Sequence, residues 1–473
     1  MQQIWRDIAD FYVFITPLGW VLGLLTAPSI LLARRGRPTA ALSWLFFLAL
    51  APILGALVWW AIGRMQLERQ KERRSVANAR VAARHGCVPY DTDTAFRQRI
   101  PLEALGQSVF PSADNRVRLL IDGEQAYPAM LQAIAEAKSS IRVQFYIWRP
   151  DATGTALRDA LAARAADGLT VQVLVDSHGS PGFTDRFARP LRDAGARIHR
   201  VMPWRLLRRT PRVNFVNHRK ILVIDDRVAF NGGMNVGDEY RHTWRDLMLR
   251  IEGKAVLALR QVFLADLAAA RGDEDAPVLV DAPAVDPTAG HPAQLAVVAS
   301  GPDQDQPWIH LAYFQAFTQA ERRIWIATPY FIPSQALIVA LQAAESRGVD
   351  VRVVVPQDND IPLVGWACRS YHPQMLRAGI RVFEYRGAML HAKAFVVDDD
   401  LCMVGSANVD TRSFHLSFEV GCFMISPPMV EELAAWYATL LDGSDEVMLP
   451  ALEQQSRLRS VIEAVAHLAS PLL

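Results

Sequence analysis

The chain has 473 residues, 51% hydrophobic and 21% charged, which is about three domains' worth at ~150 residues each. Fifty Lys and Arg nearly cancel 49 Asp and Glu; this excludes a disordered chain and argues against a general nucleic-acid binder, which is usually strongly basic. Cys87, Cys368, Cys402 and Cys422 show no Cys-x-x-Cys spacing, so no metal, cofactor or disulfide framework is expected.

Charge is unevenly spread. Residues 11–62 carry only Arg34, Arg35 and Arg37, where a proportional share would be about eleven. Residues 11–33 and 40–62 are uncharged runs of 23, each long enough for a transmembrane helix. Pro17, Pro28 and Pro52 are tolerable in such spans. Trp44, Trp59 and Trp60 fall near the expected interfaces. Asp7 and Asp10 offset Arg6 and a second run follows, so a cleaved signal peptide fits poorly. The expectation is a two-helix membrane anchor over residues 1–75. Six basic residues on the side of the termini (Arg6, Arg64, Arg69, Lys71, Arg73, Arg74) against three in the loop place the main body in the cytoplasm.

Beyond residue 100, helix and strand signals alternate. A helix over 130–138 leads into a strand over 141–148. A helix over 157–166 stops at Gly168 before a buried strand over 171–175. The order returns as 312–320, 324–327, 337–346, Gly348 and 351–355, and residues 191–195 are echoed by 375–379. This predicts an α/β fold of two tandem lobes, mixed sheets flanked by helices, over 100–275 and 290–445. Pro277, Pro283, Pro287 and Pro292 mark the connection, and 446–473 forms a C-terminal tail.

One spacing occurs in both lobes. From His218, Lys220 lies at +2, Asp225 at +7, Gly232 at +14, Asn235 at +17 and Asp246 at +28. From His391, the same offsets give Lys393, Asp398, Gly405, Asn408 and Glu419. Each His and Lys fall on one face of a strand, two residues apart. The Asp at +7 falls where the strand turns, so turn capping competes with direct chemistry. Gly233 and Ser406 follow the matched glycines; such small pairs let backbone approach an anionic ligand, and Asn235, Asn408 and the lysines are suited to phosphate oxygens. Asp246 and Glu419 are each expected behind the His of their own lobe, fixing its tautomer. Two His and two Lys around one phosphate suggest covalent catalysis: one neutral His attacks phosphorus and the other manages the proton of the alcohol.

The pattern H-x-K-x4-D with G-G/S-x-N resembles the phospholipase D superfamily, and more closely its bacterial cardiolipin synthases. Trp244-Arg245-Asp246, residues 250–253, residues 328–333, Arg412-Ser413-Phe414, Phe418-Glu419, the N-terminal runs with residues 34–38 between them and the terminal residues 470–473 carry the closer likeness. Ser417 and Ala388 depart from it. The resemblance implies two lobes related by a pseudo-two-fold axis with the site between them. It implies catalytic roles for His218, Lys220, Asp225, His391, Lys393 and Asp398, and a multi-pass protein of the bacterial inner membrane. Two anionic phosphatidylglycerol molecules would give cardiolipin and glycerol through a phosphatidyl-histidine, placed on His218. With water as acceptor the same site would be a hydrolytic phospholipase D. A nucleic-acid partner is not expected.

Two further signals are weaker. His242 and His415 are also matched, at +24, and are read as coincidence. Residues 202–220 hold Arg205, Arg208, Arg209, Arg212, Arg219 and Lys220 without an acid, beside Trp204, Leu206 and Leu207; this is read as a patch for anionic lipid headgroups.

Overall fold

The computed structural model describes residues 2–35, 38–60, 95–100, 108–201, 215–271, 285–468 and Ser470. They fall into two compact units: residues up to 60 belong to one and residues from 95 onward to the other. The expected headgroup patch around Arg205, Arg208, Arg209 and Arg212, with Trp204, Leu206 and Leu207, lies outside the described residues. So do Cys87, the basic residues 64–74 of the orientation count, Pro277 and Pro283.

The N-terminal unit holds three helices. Helix α1 (Gln2–Ala33) is continuous over 32 residues and includes Pro17 and Pro28. The second expected run is divided into α2 (Pro38–Leu50) and α3 (Pro52–Val58), of 13 and 7 residues. Pro52 has no N–H to continue the ladder and disfavours helical backbone before it. Ala51 accordingly sits at φ −140°, ψ 74°. The end of that run, residues 61–62, lies outside the described residues. Among the described residues no helix is long and apolar enough to cross a membrane. Ile30, Leu48, Ala56 and Trp59 form a small core. Trp59 is fully buried in it, and its Nε1 donates to Ser29 Oγ at 3.2 Å. Leu24, Leu25, Leu32, Leu42, Phe46 and Leu50 point outward, each more than half exposed.

The larger unit is a duplicated α/β structure. Its first lobe, preceded by α4 (Ala95–Arg99), runs β1 (Val109–Ile121), α5 (Asp122–Ala135), β2 (Ser140–Phe145), α6 (Ala152–Ala166), β3 (Thr170–Asp176), α7 (Asp185–Asp193), β4 (Arg197–Val201), β5 (Val216–Asn217), β6 (Ile221–Ile224), β7 (Val228–Gly232), α8 (Asp238–His242), β8 (Leu247–Glu252) and α9 (Lys254–Arg271). The second runs β9 (His291–Ser300), α10 (Trp308–Thr318), β10 (Arg323–Ala327), β11 (Phe331–Ile332), α11 (Gln335–Ser346), β12 (Asp350–Pro356), α12 (Pro362–Arg369), α13 (His372–Arg377), β13 (Arg381–Tyr385), β14 (Ala394–Val397), β15 (Leu401–Gly405), β16 (Val409–Asp410), α14 (Thr411–His415), β17 (Ser417–Ile425), α15 (Pro427–Asp442), β18 (Ser444–Glu446), α16 (Leu449–Glu453) and α17 (Arg457–His467).

The principal sheet orders its strands β18-β13-β12-β10-β14-β15-β17-β9-β1-β8-β7-β6-β2-β3-β4. Outward from the central antiparallel pair β9–β1, each side repeats the other: β8-β7-β6-β2-β3-β4 matches β17-β15-β14-β10-β12-β13. The outer strands β2, β3 and β4 pair in parallel, as do β10, β12 and β13. Their runs, such as TVQVLVD and DVRVVVP, are rich in β-branched residues because helices cover both faces. Tyr127, Met130, Leu157 and Leu161 pack on Val143 and Val173 in the first lobe. Tyr313, Leu337 and Leu341 pack on Ile326 and Val353 in the second. Each fully buried aliphatic side chain of this kind contributes about 1.5–3 kcal/mol. The expected helix stops are also paired: Gly168 has φ +90° and Gly348 φ +87°, a left-handed conformation that glycine adopts without a Cβ penalty.

Candidate active site

The short strands β6 and β14 each begin just after a His-x-Lys. Before them the chain crosses between lobes. Val216 and Asn217 pair in parallel with Ser417 and Phe418, and the His218 N–H donates to the Phe418 carbonyl at 2.9 Å. Correspondingly, the Arg245 N–H donates to Met389 at 2.9 Å and the His391 N–H donates to Arg245 at 2.8 Å. Each His is therefore laid beside the acid-bearing strand of the other lobe.

The pairing of His and carboxylate is crossed as a result. His218 Nδ1 lies 3.1 Å from both Glu419 carboxylate oxygens. His391 Nδ1 lies 2.7 Å from Asp246 Oδ2. The expectation that each acid serves the His of its own lobe is overturned, because β17 and β8 run past the opposite motif. Asp246 and Glu419 are fully enclosed. Burial alone would raise the pKa of Asp246, but the His391 ring, its hydrogen bond and Lys393 outweigh this and lower it. Burial lowers the pKa of His391 to about 3, with Lys393 adding to the effect and Asp246 opposing it. His218 is shifted down as well, by burial first, against Glu419. Burial thus favours the neutral form of both rings, and His391 is neutral beside the Asp246 carboxylate. Nδ1–H donates to the carboxylate, and the Nε2 lone pair stays available.

Lys220 and Lys393 are buried between these pairs. Lys220 Nζ donates to the His218 carbonyl at 2.6 Å, and Lys393 Nζ donates to that of His391. Burial pulls both ammonium pKa values down, Lys393 to about 8, while Asp246 and Glu419 oppose the change. Gly233 and Ser406 are not equivalent. Ser406 Oγ donates to Glu419 Oε2 and accepts the Val420 N–H at 3.0 Å. A Cβ on Gly233 would come within 2.3 Å of Asp246 Oδ1. The Ser406 hydroxyl thus serves the Glu419 carboxylate.

Asn235 is nearly enclosed, and its Oδ1 accepts the Ile147 N–H at 3.1 Å. The buried Asn408 bonds the Asp410 carboxylate. Asp225 and Asp398 are not brought to the site. They stand at the far ends of β6 and β14, about 23 Å of extended chain from their histidines. Asp225 accepts the N–H groups of Lys138, Ser139 and Ser140 at 2.7–2.9 Å. Asp398 accepts those of Glu321, Arg322 and Arg323 together with the Arg99 guanidinium. Both have positive φ, 54° and 53°, which Asp tolerates in turns. These backbone bonds make them clamps that tie each motif strand to the start of β2 or β10.

Aromatic walls were not anticipated. Tyr146 meets the His218 ring edge-on at 4.9 Å, and Lys220 Nζ lies 5.5 Å from its centroid. Trp244 and Tyr240 lie 5.1 and 5.6 Å from His391. In the register shared by the two lobes Tyr146 matches Pro329, so the duplication held no signal for it. Tyr330 Oη donates to Asp360 at 2.9 Å, and the Asp360 charge reaches Lys393. His242 lies on the surface against Glu124, whereas His415 stacks edge-on against His310 at 5.6 Å.

A duplicated sheet that crosses two His-x-Lys motifs between its halves defines a two-lobed phospholipase D-like protein. The family model described as "Cardiolipin synthase, PLD-like domain" matches residues 130–267 and 313–441. The chain belongs to this cardiolipin synthase family. It is 32% identical to cardiolipin synthase 2 of Bacillus anthracis over 462 residues, covering 94% of this chain and 89% of that protein. It is likewise 32% identical to the major cardiolipin synthase of Bacillus subtilis (strain 168) over 477 residues, covering 96% and 98%. Among solved structures, phosphatidylserine synthase of Haemophilus influenzae Rd KW20 has the same fold, with a TM-score of 0.58 at 16% identity, over 80% of this chain and 100% of that one.

Proposed function

We propose that the protein is a membrane phosphatidyltransferase that joins two phosphatidylglycerol molecules into cardiolipin and releases glycerol. The observation that carries this is the pair of crossed histidine–carboxylate contacts with two buried lysines between them, in a chain of the cardiolipin synthase family.

In the first half-reaction His218 Nε2 attacks phosphorus of one phosphatidylglycerol. The P–O bond to glycerol breaks, and His391 gives the departing oxygen a proton. The second phosphatidylglycerol then presents its terminal hydroxyl. His391 takes that proton as the oxygen attacks phosphorus, and the P–N bond breaks to restore neutral His218. The wider opening around His218, 14% exposed against 7% for His391, favours it as the nucleophile. At rest His391 is neutral; an anionic phosphodiester beside it raises its proton affinity and fits it to act as the acid. Each lysine ammonium has three N–H donors and uses one on a backbone carbonyl, so both can also bind non-bridging oxygens of the pentacoordinate phosphorus. Asn235 and Asn408 border this position. Asp225 and Asp398 act at a distance by holding the motif strands in register.

The N-terminal unit is read as the membrane anchor, a helical hairpin with the catalytic body on the cytoplasmic side. The two arms are α1 and the pair α2–α3, which together cover 21 residues from Pro38 to Val58, close to the ~20 needed to span hydrocarbon. Outward-facing Leu24, Leu25, Leu42 and Phe46 favour lipid around it. Residues 1–75 would form this anchor, 100–275 and 290–445 the two catalytic lobes, and 446–473 the tail.

The decisive experiment supplies purified protein in detergent with labelled phosphatidylglycerol and identifies the products. Cardiolipin and glycerol in equal amounts are expected. Phosphatidic acid would make the protein a hydrolytic phospholipase D, and no turnover would defeat the proposal.

A further inference from the structure

Helix α17 is built inside out. Glu463 faces the protein and is 5% exposed, its carboxylate accepting from Arg459 Nε and Gln455 Nε2 at 3.0 Å each. Leu458, Val461, Val465 and Leu468 face outward, each between 58% and 78% exposed. Their spacings of three, four and three residues make one continuous helical stripe. A helix on a water-facing surface has the opposite arrangement. Among the cations of α17, Arg459 turns to Glu463 and His467 to Ser370, and Arg457 remains on the exposed side.

Helix α12 packs beside it. The His467 ring lies 4.9 Å from Tyr371, and its Nδ1 is 3.0 Å from Ser370 Oγ, just beyond the end of α12. Here too large apolar groups point outward: Ile361, Leu363 and Trp366. The loop entering α12 belongs to the wall of the site. Asn359 Nδ2 donates to the Pro329 carbonyl at 3.0 Å, and Asp360 accepts the Tyr330 hydroxyl. The apolar surface therefore begins one residue from a carboxylate whose charge reaches Lys393.

We propose that the outward faces of α12 and α17 dock on an anionic phospholipid bilayer and set the site's Asp360 corner at headgroup level. This rests on reading the protein as a phosphatidyltransferase, whose two-chain substrates stay in the bilayer because withdrawing their acyl chains into water is prohibitive. The chemistry of the surface fits that occupant: an aliphatic stripe to enter the acyl boundary, an amphipathic Trp366 at its edge, and the exposed Arg457 to meet anionic headgroups.

The test uses the full chain reconstituted in phosphatidylglycerol vesicles, in a Cys87→Ser background; the remaining cysteines are buried. A nitroxide is attached at Val465→Cys or, as a water-facing control, at Ser346→Cys on α11. The expected result is that the label at 465 collides preferentially with oxygen, whereas that at 346 collides preferentially with a water-soluble nickel complex. Equal behaviour at the two sites overturns the proposal. So does spin–spin broadening at 465, which would put a second molecule on this face. In addition, the double variant Val461→Glu/Val465→Glu should lose about tenfold or more turnover on vesicles, given the cost of placing charge in hydrocarbon, and keep its turnover in detergent micelles. Equal loss in both would assign these residues to folding and also overturn the proposal. Failure of the wild type to make cardiolipin in micelles would instead count against the underlying function, whatever the label reports.

Discussion

His218 and Glu419 stand 201 residues apart in sequence, yet Nδ1 of one lies 3.1 Å from both carboxylate oxygens of the other. The contact is reciprocated by His391 and Asp246, so each lobe supplies the acid that orients the other lobe's base. Neither lobe holds a complete histidine–carboxylate pair on its own. Crossing also assigns each acid to a different step, because the two histidines do different work.

The first prediction uses that division. In His391→Ala, a phosphatidyl ester with a nitrophenol leaving group needs no proton to depart, so the covalent intermediate should form and then persist. Mass spectrometry of the trapped protein should place the lipid phosphate on His218. Finding it elsewhere would reassign the nucleophile. Glu419→Gln should slow this burst by about 10²-fold or more by loosening the tautomer and orientation of His218. Asp246→Asn should leave the burst with this substrate nearly intact and impair steady-state turnover instead.

A second prediction concerns the unequal residues 233 and 406. Ser406→Gly removes the hydroxyl that donates to Glu419 and should lower kcat about tenfold, with the protein still folded. Gly233→Ser places a Cβ where only 2.3 Å separates it from Asp246 Oδ1. It should be the more damaging change, displacing the carboxylate behind His391. Comparable kcat values in the two variants would contradict this ordering.

The repeated offsets made the motif residues legible, and the positive-φ stops at Gly168 and Gly348 followed from local chemistry alone. Crossing was not legible, since it depends on β9 pairing with β1 and no local spacing encodes that contact. The dual nature of Asp225 and Asp398 was visible only as a choice; the backbone N–H groups around them decide it. Tyr146 escaped notice because an aromatic after a buried strand ordinarily belongs to the core. The break at Ala51 was obscured by the tolerance of membrane helices for proline.

The third prediction separates clamp from catalyst. Asp398→Asn replaces a carboxylate that accepts three backbone N–H groups and the Arg99 guanidinium. Loss of the charge should destabilise the protein by roughly 2–3 kcal/mol, read as an earlier denaturant midpoint. Turnover per folded molecule should fall less than about threefold, since the residue stands some seven extended residues from His391. A large loss of kcat at unchanged stability would return Asp398 to the reaction.

The last prediction is an alkaline limb. Lys393 titrates at about 8, held down chiefly by burial against the opposing pull of Asp246 and Glu419. Its ammonium is present below that pH and lost above it, so kcat/KM should fall as pH rises through 8. Stability should respond in the opposite sense. Between pH 8 and the ordinary lysine value of ~10.5, the unfolded chain binds a proton that the folded chain has released, and this group then favours folding as pH increases. A fall in rate without an accompanying loss of melting temperature therefore distinguishes deprotonation of Lys393 from unfolding. Lys393→Arg, whose side chain stays protonated, should lower the overall rate but remove the limb near pH 8. Persistence of the limb in that variant would assign it to another group.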